Sequence, residues 1–293
     1  MCLVAVAFRH RPDYPLVVVA NRDEYYDRPA LAADFWEDHP HILGGRDQEA
    51  GGTWFAVDRS GRWATVTNYR GGAIGANARS RGELPVAFLN AGQPAPVFAA
   101  GVTAGAHRYR GFSLLAGSPE DLAYCTNQDP DARTLTPGIY TLSNDVLDTP
   151  WPKAEYARRM LTAVLDEPDP PAPDRLLAIL GSREQFPDIH LPDTGIGLEM
   201  ERVLSAPSSS RTAMAPGPPR CSPSAATAKC VLPNSAITAA GPLGVGTTTS
   251  GAAILLPDPG AGKKPTGLGL QDRRPQRASG SSRRERCAGP RHR

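Results

Sequence analysis

The sequence predicts an α+β domain over residues 1–206 and a low-complexity tail over residues 207–293. Pairs of short apolar runs separated by turn residues lie near the start, which is typical of β-hairpins. Segments in which apolar residues recur at helical spacing lie between and after these runs. The composition changes within three residues after Ser205, and no Phe, Tyr or Trp follows Phe186. Strands before, between and after helices are typical of a layered α+β domain.

The first predicted element is a β-hairpin over residues 3–20. Residues 3–8 and 16–20 are apolar and rich in valine, and the charged segment between them contains two prolines. Two such runs around a turn are typical of a hairpin. The second strand leads into Asn21-Arg22-Asp23-Glu24, so the pairing places this segment beside Cys2.

Cys2 has a chemical role available to it in that position. Because Cys2 is small, we predict that Met1 is removed after synthesis, which leaves a thiol and an α-amine on one residue. The α-amine titrates near ~8 and can act as general base for the thiol. Arg22 would favour the thiolate, and Asp23 could hold the α-amine by a hydrogen bond. From the residues alone, a half-buried strand cysteine next to a solvated turn remains an alternative.

Residues 25–47 are predicted to be a long connection. His39 and His41 within it have a spacing that could hold a metal, but no second cluster of ligands follows, so we expect a surface loop. Gly44-Gly45-Arg46-Asp47 and Gly51-Gly52 are predicted turns. Neither is a phosphate loop, because no Gly-Lys-Ser/Thr follows.

A second hairpin is predicted from residues 53–57 and 63–68, and it ends at Asn68. An amide at this position can donate to a developing oxyanion, which is often a large catalytic contribution. The alternative is a turn asparagine that caps the glycine-rich loop after it.

Further helices and strands are predicted after this hairpin. Apolar spacing predicts helices over residues 81–90, 153–165 and 174–180. Short strands are predicted over residues 112–116, 122–125 and 139–142, with the start of another at 203–204. Cys125, inside one of these strands, is predicted to be a small core residue. The strand at 139–142 leads into Ser143-Asn144.

Charge and cysteine usage limit the class of protein. The whole chain has 32 Lys and Arg against 30 Asp and Glu, but residues 207–293 alone carry 13 against 3. The five cysteines form no C-x-x-C pair, which argues against a disulfide framework or a zinc site and favours a reducing compartment. We find no signal peptide and no apolar run of ~20 residues for a membrane span. We therefore expect a cytoplasmic protein.

The chain resembles the NRDE family, whose animal members are called transport and Golgi organisation protein 2. The matching segments run in family order through roughly the first two hundred residues. They are Met1-Cys2, Ala20-Asn21-Arg22-Asp23-Glu24, Asp27-Arg28-Pro29, Gly44-Gly45-Arg46-Asp47, Gly51-Gly52-Thr53-Trp54, Thr67-Asn68, Ser80-Arg81-Gly82-Glu83-Leu84, Leu142-Ser143-Asn144 and Thr149-Pro150-Trp151-Pro152-Lys153.

The resemblance implies a fold and a chemistry. The family is similar to N-terminal nucleophile hydrolases, which implies a four-layer αββα sandwich. It implies that Cys2 is nucleophile and, through its α-amine, base, that Arg22 and Asp23 orient and polarise that terminus, and that Asn68 and Asn144 serve the oxyanion. The implied substrate is a small-molecule amide or thioester, and no cofactor is required. Trp54 and Trp151 could wall the pocket or pack in the core.

Two other functions stay open at this point. A non-catalytic carrier of haem or of acyl lipids could use the same fold without an activated thiol. A damaged gene product would have neither activity. The substrate or ligand and the oligomeric state are not determined by the sequence, and a fold does not settle a function.

The tail over residues 207–293 has three interpretations. It could bind nucleic acid or a membrane surface, but its charges are dispersed and no aromatic residues interleave with them for base stacking, so we expect no nucleic-acid partner. It could be an inert low-complexity extension, which by its composition is expected to be disordered.

We favour the third interpretation, a frameshift near codons 200–225. Read one base earlier, the codons of residues 213–222 can spell Tyr-Gly-Thr-Arg-Ser-Ser-Thr-Val-Leu, a run that the family places after Ser205. The glycine in that run is forced by the codon of Met214. The domain as written then lacks its C-terminal strands and a late-strand arginine that related hydrolases place beside the nucleophile.

Overall fold

A computed structural model of the protein describes residues 2–22, 28–70, 78–208, 244–247 and 251–256. Within these residues the chain forms two antiparallel β-sheets and five α-helices. This mixed content agrees with the α+β class that the sequence predicts.

The first sheet has five strands in the order β10-β1-β2-β12-β11. Its centre is the predicted N-terminal hairpin, in which Cys2 pairs with Arg22 and Phe8 pairs with Leu16. The register shifts between Phe8 and Arg11, where Arg9 has a left-handed backbone with φ of 47°. The strands are β1 (Cys2–Arg11), β2 (Tyr14–Arg22), β10 (Gly138–Leu142), β11 (Gly244–Thr247) and β12 (Gly251–Leu256).

The second sheet has seven strands in sequence order from β3 to β9. The predicted hairpin around residues 58–62 is confirmed as β5 and β6, in which Phe55 pairs with Thr65. The strands are β3 (Ala30–Phe35), β4 (Ile42–Asp47), β5 (Phe55–Asp58), β6 (Trp63–Asn68), β7 (Phe112–Gly117), β8 (Leu122–Thr126) and β9 (Arg133–Thr134).

The helices pack on the sheets through their apolar sides. On α1 and α2, Phe88 and Phe98 lie with ring centroids 5.3 Å apart and join a cluster with Ala64 and Leu114 of the second sheet. Residues of α3 and α4 join another cluster with β1 and β2. The helices are α1 (Glu83–Ala91), α2 (Ala95–Ala104), α3 (Pro152–Leu165), α4 (Pro173–Gly181) and α5 (Leu198–Ser205).

The β1 strand is buried on both faces, because alternate side chains of a strand point to opposite sides. Val4, Val6 and Phe8 enter a cluster with residues of the second sheet, which include Trp63 and Tyr124. Leu3, Ala5 and Ala7 instead enter the cluster with α3 and α4. This double burial explains why the run over residues 3–8 is apolar without alternation.

Some segments that were not predicted as helix or strand form regular structure. The connection over residues 25–47 contains β3 and β4, and the predicted turn at Gly44-Gly45-Arg46-Asp47 lies in β4. Glycine at position 44 allows β4 to lie close to β5. A side-chain Cβ there would clash, because it would lie only 2.8 Å from the carbonyl oxygen of Phe55. The helix α2 was not predicted, and its one proline, Pro96, lies in the first turn, where proline is tolerated.

The predicted strand start at residues 203–204 is wrong. Val203 and Leu204 lie in α5, whose buried residues include Glu201 and Leu204, three positions apart. A pair of apolar residues does not distinguish a strand from a helix, and the buried glutamate hides the helical spacing.

The expectation that C-terminal strands are missing is also corrected. Within residues 207–293, β11 and β12 form a hairpin, and β12 pairs with β2 from Gly251↔Asn21 to Leu256↔Leu16. Leu255 is buried against Val17 and Val19 in the cluster with α3 and α4. The edge of β2 offers unpaired backbone groups, and the apolar run at 252–256 can occupy it. Residues 209–243, 248–250 and 257–293 lie outside the described part of the chain.

Among the described residues, none of the helices is long and apolar enough to cross a membrane. In the same ranges, no group of three or more His, Cys, Asp or Glu side chains is placed to hold a metal ion. His39 and His41 lie near each other, with ring centroids 6.2 Å apart, in the loop before β4.

Candidate active site

Cys2 is the first residue of β1, and its backbone is held on both sides. Its N–H donates to Oδ1 of Asn144 at 3.3 Å. Its carbonyl oxygen accepts from Oγ of Ser143 at 2.9 Å. Only 8% of Cys2 is exposed. The Ser143-Asn144 pair after β10 therefore fixes the nitrogen and the carbonyl of the predicted nucleophile.

Asn144 connects Cys2 to the end of β6. Its Nδ2 donates to the carbonyl oxygen of Asn68 at 3.1 Å, and its own carbonyl oxygen accepts from the N–H of Arg70 at 2.9 Å. Asn144 is 3% exposed, whereas Asn68 lies at the exposed end of its strand. The structure thus brings three of the predicted site residues together, Cys2, Asn68 and Asn144, although they are far apart in sequence.

Arg22 is the fourth predicted residue at this end of the sheet. It lies directly opposite Cys2 in the β1–β2 register, so the two side chains are on the same face. Nη2 of Arg22 lies 3.6 Å from Oδ2 of Asp47, at the end of β4 in the second sheet. Asp23, the fifth predicted residue, lies outside the described residues.

Asn21 ties the hairpin to later parts of the chain. Its Oδ1 accepts from the N–H of Leu3 at 3.0 Å, and its Nδ2 donates to the carbonyl oxygen of Pro207 at 2.5 Å. The side chain is buried, at 2% exposed. Asn21 therefore bridges the start of β1 and the end of the segment after α5.

A narrow cleft lies beside Arg70, one hydrogen bond away from Asn144. Trp151, Leu191 and Leu204 form apolar parts of its lining, and Arg70, Lys153 and Glu201 are its charged members. The guanidinium of Arg70 lies 5.0 Å from the centre of the Trp151 ring. Trp151 lines this cleft and is largely buried. The other tryptophan, Trp54, packs against the cluster between the sheets.

An ion pair holds one wall of the cleft in place. Nη1 of Arg70 lies 3.0 Å from Oε2 of Glu201, and Oε1 of Glu201 accepts from the N–H of Thr194 at 3.0 Å. Burial lowers the pKa of the Arg70 guanidinium below its usual range, although Glu201 acts in the opposite direction. Nζ of Lys153 donates to the carbonyl oxygen of Leu204 at 3.1 Å. These contacts fasten the segment over residues 191–205 beside the site.

Sequence reasoning did not identify Arg70, Lys153 or Glu201 as site residues. Charged residues are normally exposed, and a single sequence gives little sign of those that are buried. Lys153 does lie in Thr149-Pro150-Trp151-Pro152-Lys153, one of the segments that resemble the family, so the resemblance pointed to this region of the chain. Its burial, at 3% exposed, was not predictable from that segment.

Cys125 is the second cysteine among the described residues, and it is suited to packing. As predicted, it lies in the core, on β8 against α2. Burial raises the pKa of its thiol to about 12. A thiol with such a pKa stays neutral near pH 7 and is a poor nucleophile.

Comparison with known proteins places the similarity in the first two thirds of the chain. The family model described as Transport and Golgi organisation 2 matches residues 1–208. The chain is 35% identical over 223 residues to the human Transport and Golgi organization protein 2 homolog, which covers 70% of this chain and 80% of that protein. It is 35% identical over 213 residues to the mouse homolog, with 67% and 77% covered.

Solved structures give weaker similarities. A penicillin V acylase from Agrobacterium tumefaciens aligns with a TM-score of 0.39 at 11% identity, over 61% of this chain and 71% of that one. An N-acylethanolamine-hydrolyzing acid amidase ortholog from Caenorhabditis elegans aligns with a TM-score of 0.35 at 9% identity, over 61% and 85%.

Proposed function

The chain belongs to the Transport and Golgi organisation 2 family, and from this premise we propose that it is an N-terminal cysteine hydrolase of amide or thioester bonds. The observation that carries the proposal is the hydrogen bond from the nitrogen of Cys2 to Oδ1 of Asn144. Removal of Met1 would turn that nitrogen into an α-amine held next to its own thiol. An amine in this position can serve as general base.

The proposed reaction begins with transfer of the thiol proton of Cys2 to its α-amine. The thiolate sulfur attacks the acyl carbon, and the carbonyl electron pair moves to the oxygen. The intermediate collapses when the bond to the leaving nitrogen or sulfur breaks, and the leaving group takes the proton from the ammonium. The acyl group is then a thioester on Cys2, and water releases it with the amine again as base.

The proposed roles of the other residues follow from their placement. Asn144 accepts one N–H of the amine, and because an amide carries two donor hydrogens, its Nδ2 can serve the oxyanion besides donating to Asn68. Asn68 stands at the open end of β6, where its amide can act as a second donor. Arg22 favours the thiolate from the neighbouring strand. We keep Asp23, outside the described residues, as the proposed partner of the α-amine.

We also infer that the layers stack as αββα. The inference is supported by the three core clusters, which join α1 and α2 to the second sheet, the second sheet to the first, and the first sheet to α3 and α4. The two faces of β1 belong to different clusters, which requires material on both sides of the first sheet.

For the tail we propose the shifted reading frame. The family model stops at residue 208, close to the point where the composition changes. Sequencing the gene across codons 200–225 tests the proposal. An intact frame with no inserted or deleted base would refute it.

The test of hydrolysis begins with the intact mass of the purified protein. We expect loss of Met1, and then a mass increase equal to one acyl group after incubation with short-chain acyl thioesters and anilides. Cys2→Ser should not accumulate a stable thioester adduct, and Cys125→Ala serves as a matched control that keeps the adduct. A retained Met1, or no adduct and no product with any of these acyl donors, would refute the hydrolase.

The carrier function is the second candidate, because a carrier on the same fold needs no activated thiol. The cleft beside Trp151 has room for about one water molecule, so it does not itself support the binding of such a ligand. A carrier would bind haem or an acyl lipid with Met1 retained, and Cys2→Ala would bind equally well. Quenching of tryptophan fluorescence by the ligand measures this binding.

A further inference from the structure

We propose that Asp47 is a positioning residue that holds Arg22 against Cys2, an inference that rests on the proposed function of Cys2 as nucleophile. Asp47 ends β4 in the second sheet, whereas Arg22 and Cys2 lie in the first. Nη2 of Arg22 and Oδ2 of Asp47 are 3.6 Å apart. The contact therefore links the two sheets at the end where the predicted nucleophile lies.

Asp47 is itself held in place from several directions. Oδ1 accepts from the N–H groups of Glu49 and Ala50, both at 3.1 Å, and Oδ2 accepts from Nε of Arg28 at 2.6 Å. Its backbone N–H donates to Gly52 at 2.9 Å. A carboxylate fixed in this way can act as a rigid anchor for a longer, more flexible side chain.

The side chains of Asp47 and Arg22 are only 16% and 17% exposed, so water screens their interaction less than at an open surface. Although burial by itself raises the pKa of Asp47, the hydrogen bonds from Arg28, Ala50 and Glu49 bring it below the ordinary value, so the carboxylate is charged at neutral pH. Among the described residues, the charged groups that face it are Arg22 of β2, Arg28 before β3, and Glu49, which pairs with Arg28 at 3.2 Å.

The position of Arg22 bears on the thiol of Cys2. The two residues are directly opposite in the strand pair, where Cβ atoms lie about 5 Å apart. A guanidinium close to a thiol stabilises the thiolate and lowers the thiol pKa by about one unit or more. The guanidinium has this effect only while it is directed at Cys2, which is the role that we assign to Asp47.

Replacing Asp47 distinguishes a positioning role from a simple effect of its charge, because the two predict opposite shifts of the Cys2 thiol pKa. Asp47→Asn removes a negative charge, which on its own would favour the thiolate and lower the pKa of the Cys2 thiol. If Asp47 acts by holding Arg22, its loss lets the guanidinium move away, and the thiol pKa rises instead. A purely structural role in the 47–52 turn would leave the pKa unchanged.

The experiment measures the rate of iodoacetamide alkylation of Cys2 against pH in the full chain, with mass spectrometry of the Cys2 peptide as readout. We expect Asp47→Asn to raise the apparent thiol pKa by about one unit, which lowers the rate about tenfold below that pKa. Asp38→Asn is the matched control, since Asp38 pairs with the neighbouring Arg46 at 2.7 Å. Its profile should equal that of the parent protein.

Two more variants complete the test. In an Arg22→Met background, Asp47→Asn should cause no further upward shift, because the group that it positions is gone. If Asp47→Asn does not fold, Asp47→Glu moves the carboxylate by one methylene and should still raise the pKa. An unchanged or lowered thiol pKa would overturn the proposal. Alkylation requires no substrate, so this result stands apart from whether the protein hydrolyses acyl donors.

Discussion

Replacing Glu201 by glutamine should destabilise the protein through a buried charge. Glu201 is 3% exposed and pairs at 3.0 Å with Arg70, whose side chain is 13% exposed. The substitution keeps the shape but replaces an oxygen that accepts from Arg70 by an NH₂ group, which is also a donor. The guanidinium of Arg70 then remains partly buried opposite a group that cannot compensate it.

The magnitude follows from the burial of both partners. Breaking a buried ion pair by removing one charge costs about 3–5 kcal/mol, because the other charge is left without compensation. Arg70 retains some exposure and also feels the charge of Asp145, so we expect a loss near the lower end, about 3 kcal/mol of unfolding free energy. Glutamine keeps the oxygen that accepts from the N–H of Thr194. The contact with Thr194 should therefore add nothing to the loss of unfolding free energy.

Urea denaturation followed by circular dichroism measures the effect. The double variant Arg70→Met/Glu201→Met should recover most of the loss, since it removes both charges together. The neighbouring pair of Arg202 and Asp188, 2.6 Å apart with both side chains 45% exposed, gives the control, and Asp188→Asn should leave the midpoint unchanged. A Glu201→Gln midpoint equal to that of the parent would refute the reasoning.

Three further predictions concern single side chains. Leu255→Ala should lower the unfolding free energy by about 2–5 kcal/mol, because Leu255 is buried under α3 and α4; an unchanged stability would mean that β12 does not pack on β2. Cys125 should resist a thiol reagent at pH 8 in the folded protein and react after unfolding, because its thiol pKa is raised to about 12; fast native reaction, read by mass spectrometry of its peptide, would contradict its burial. Asn144→Ala should cost about 2–4 kcal/mol in thermal or urea unfolding, since it leaves the N–H of Cys2 and the carbonyl of Asn68 without this partner; a loss under ~0.5 kcal/mol would show that these bonds are dispensable.

The sequence by itself determined the elements whose patterns are local. Valine-rich runs around a proline-containing turn predicted the β1–β2 hairpin. The two strand-like runs on either side of residues 58–62 predicted β5 and β6. The helical spacing in residues 153–165 predicted α3. The motifs that resemble the family also singled out Cys2, Asn68 and Asn144, which the fold brings into one hydrogen-bonded group. Such signals survive in one sequence because each depends on neighbours along the chain.

Only the tertiary structure decided how distant segments meet. The contact between Arg22 and Asp47 crosses from one sheet to the other, and Glu201 reaches Arg70 from a helix that the sequence did not predict. The pairing of β12 with β2 was likewise hidden, because the two strands lie at opposite ends of the sequence. Burial of a charge depends on what packs over it, so the sequence named the candidate nucleophile and the structure supplied the charged groups around it.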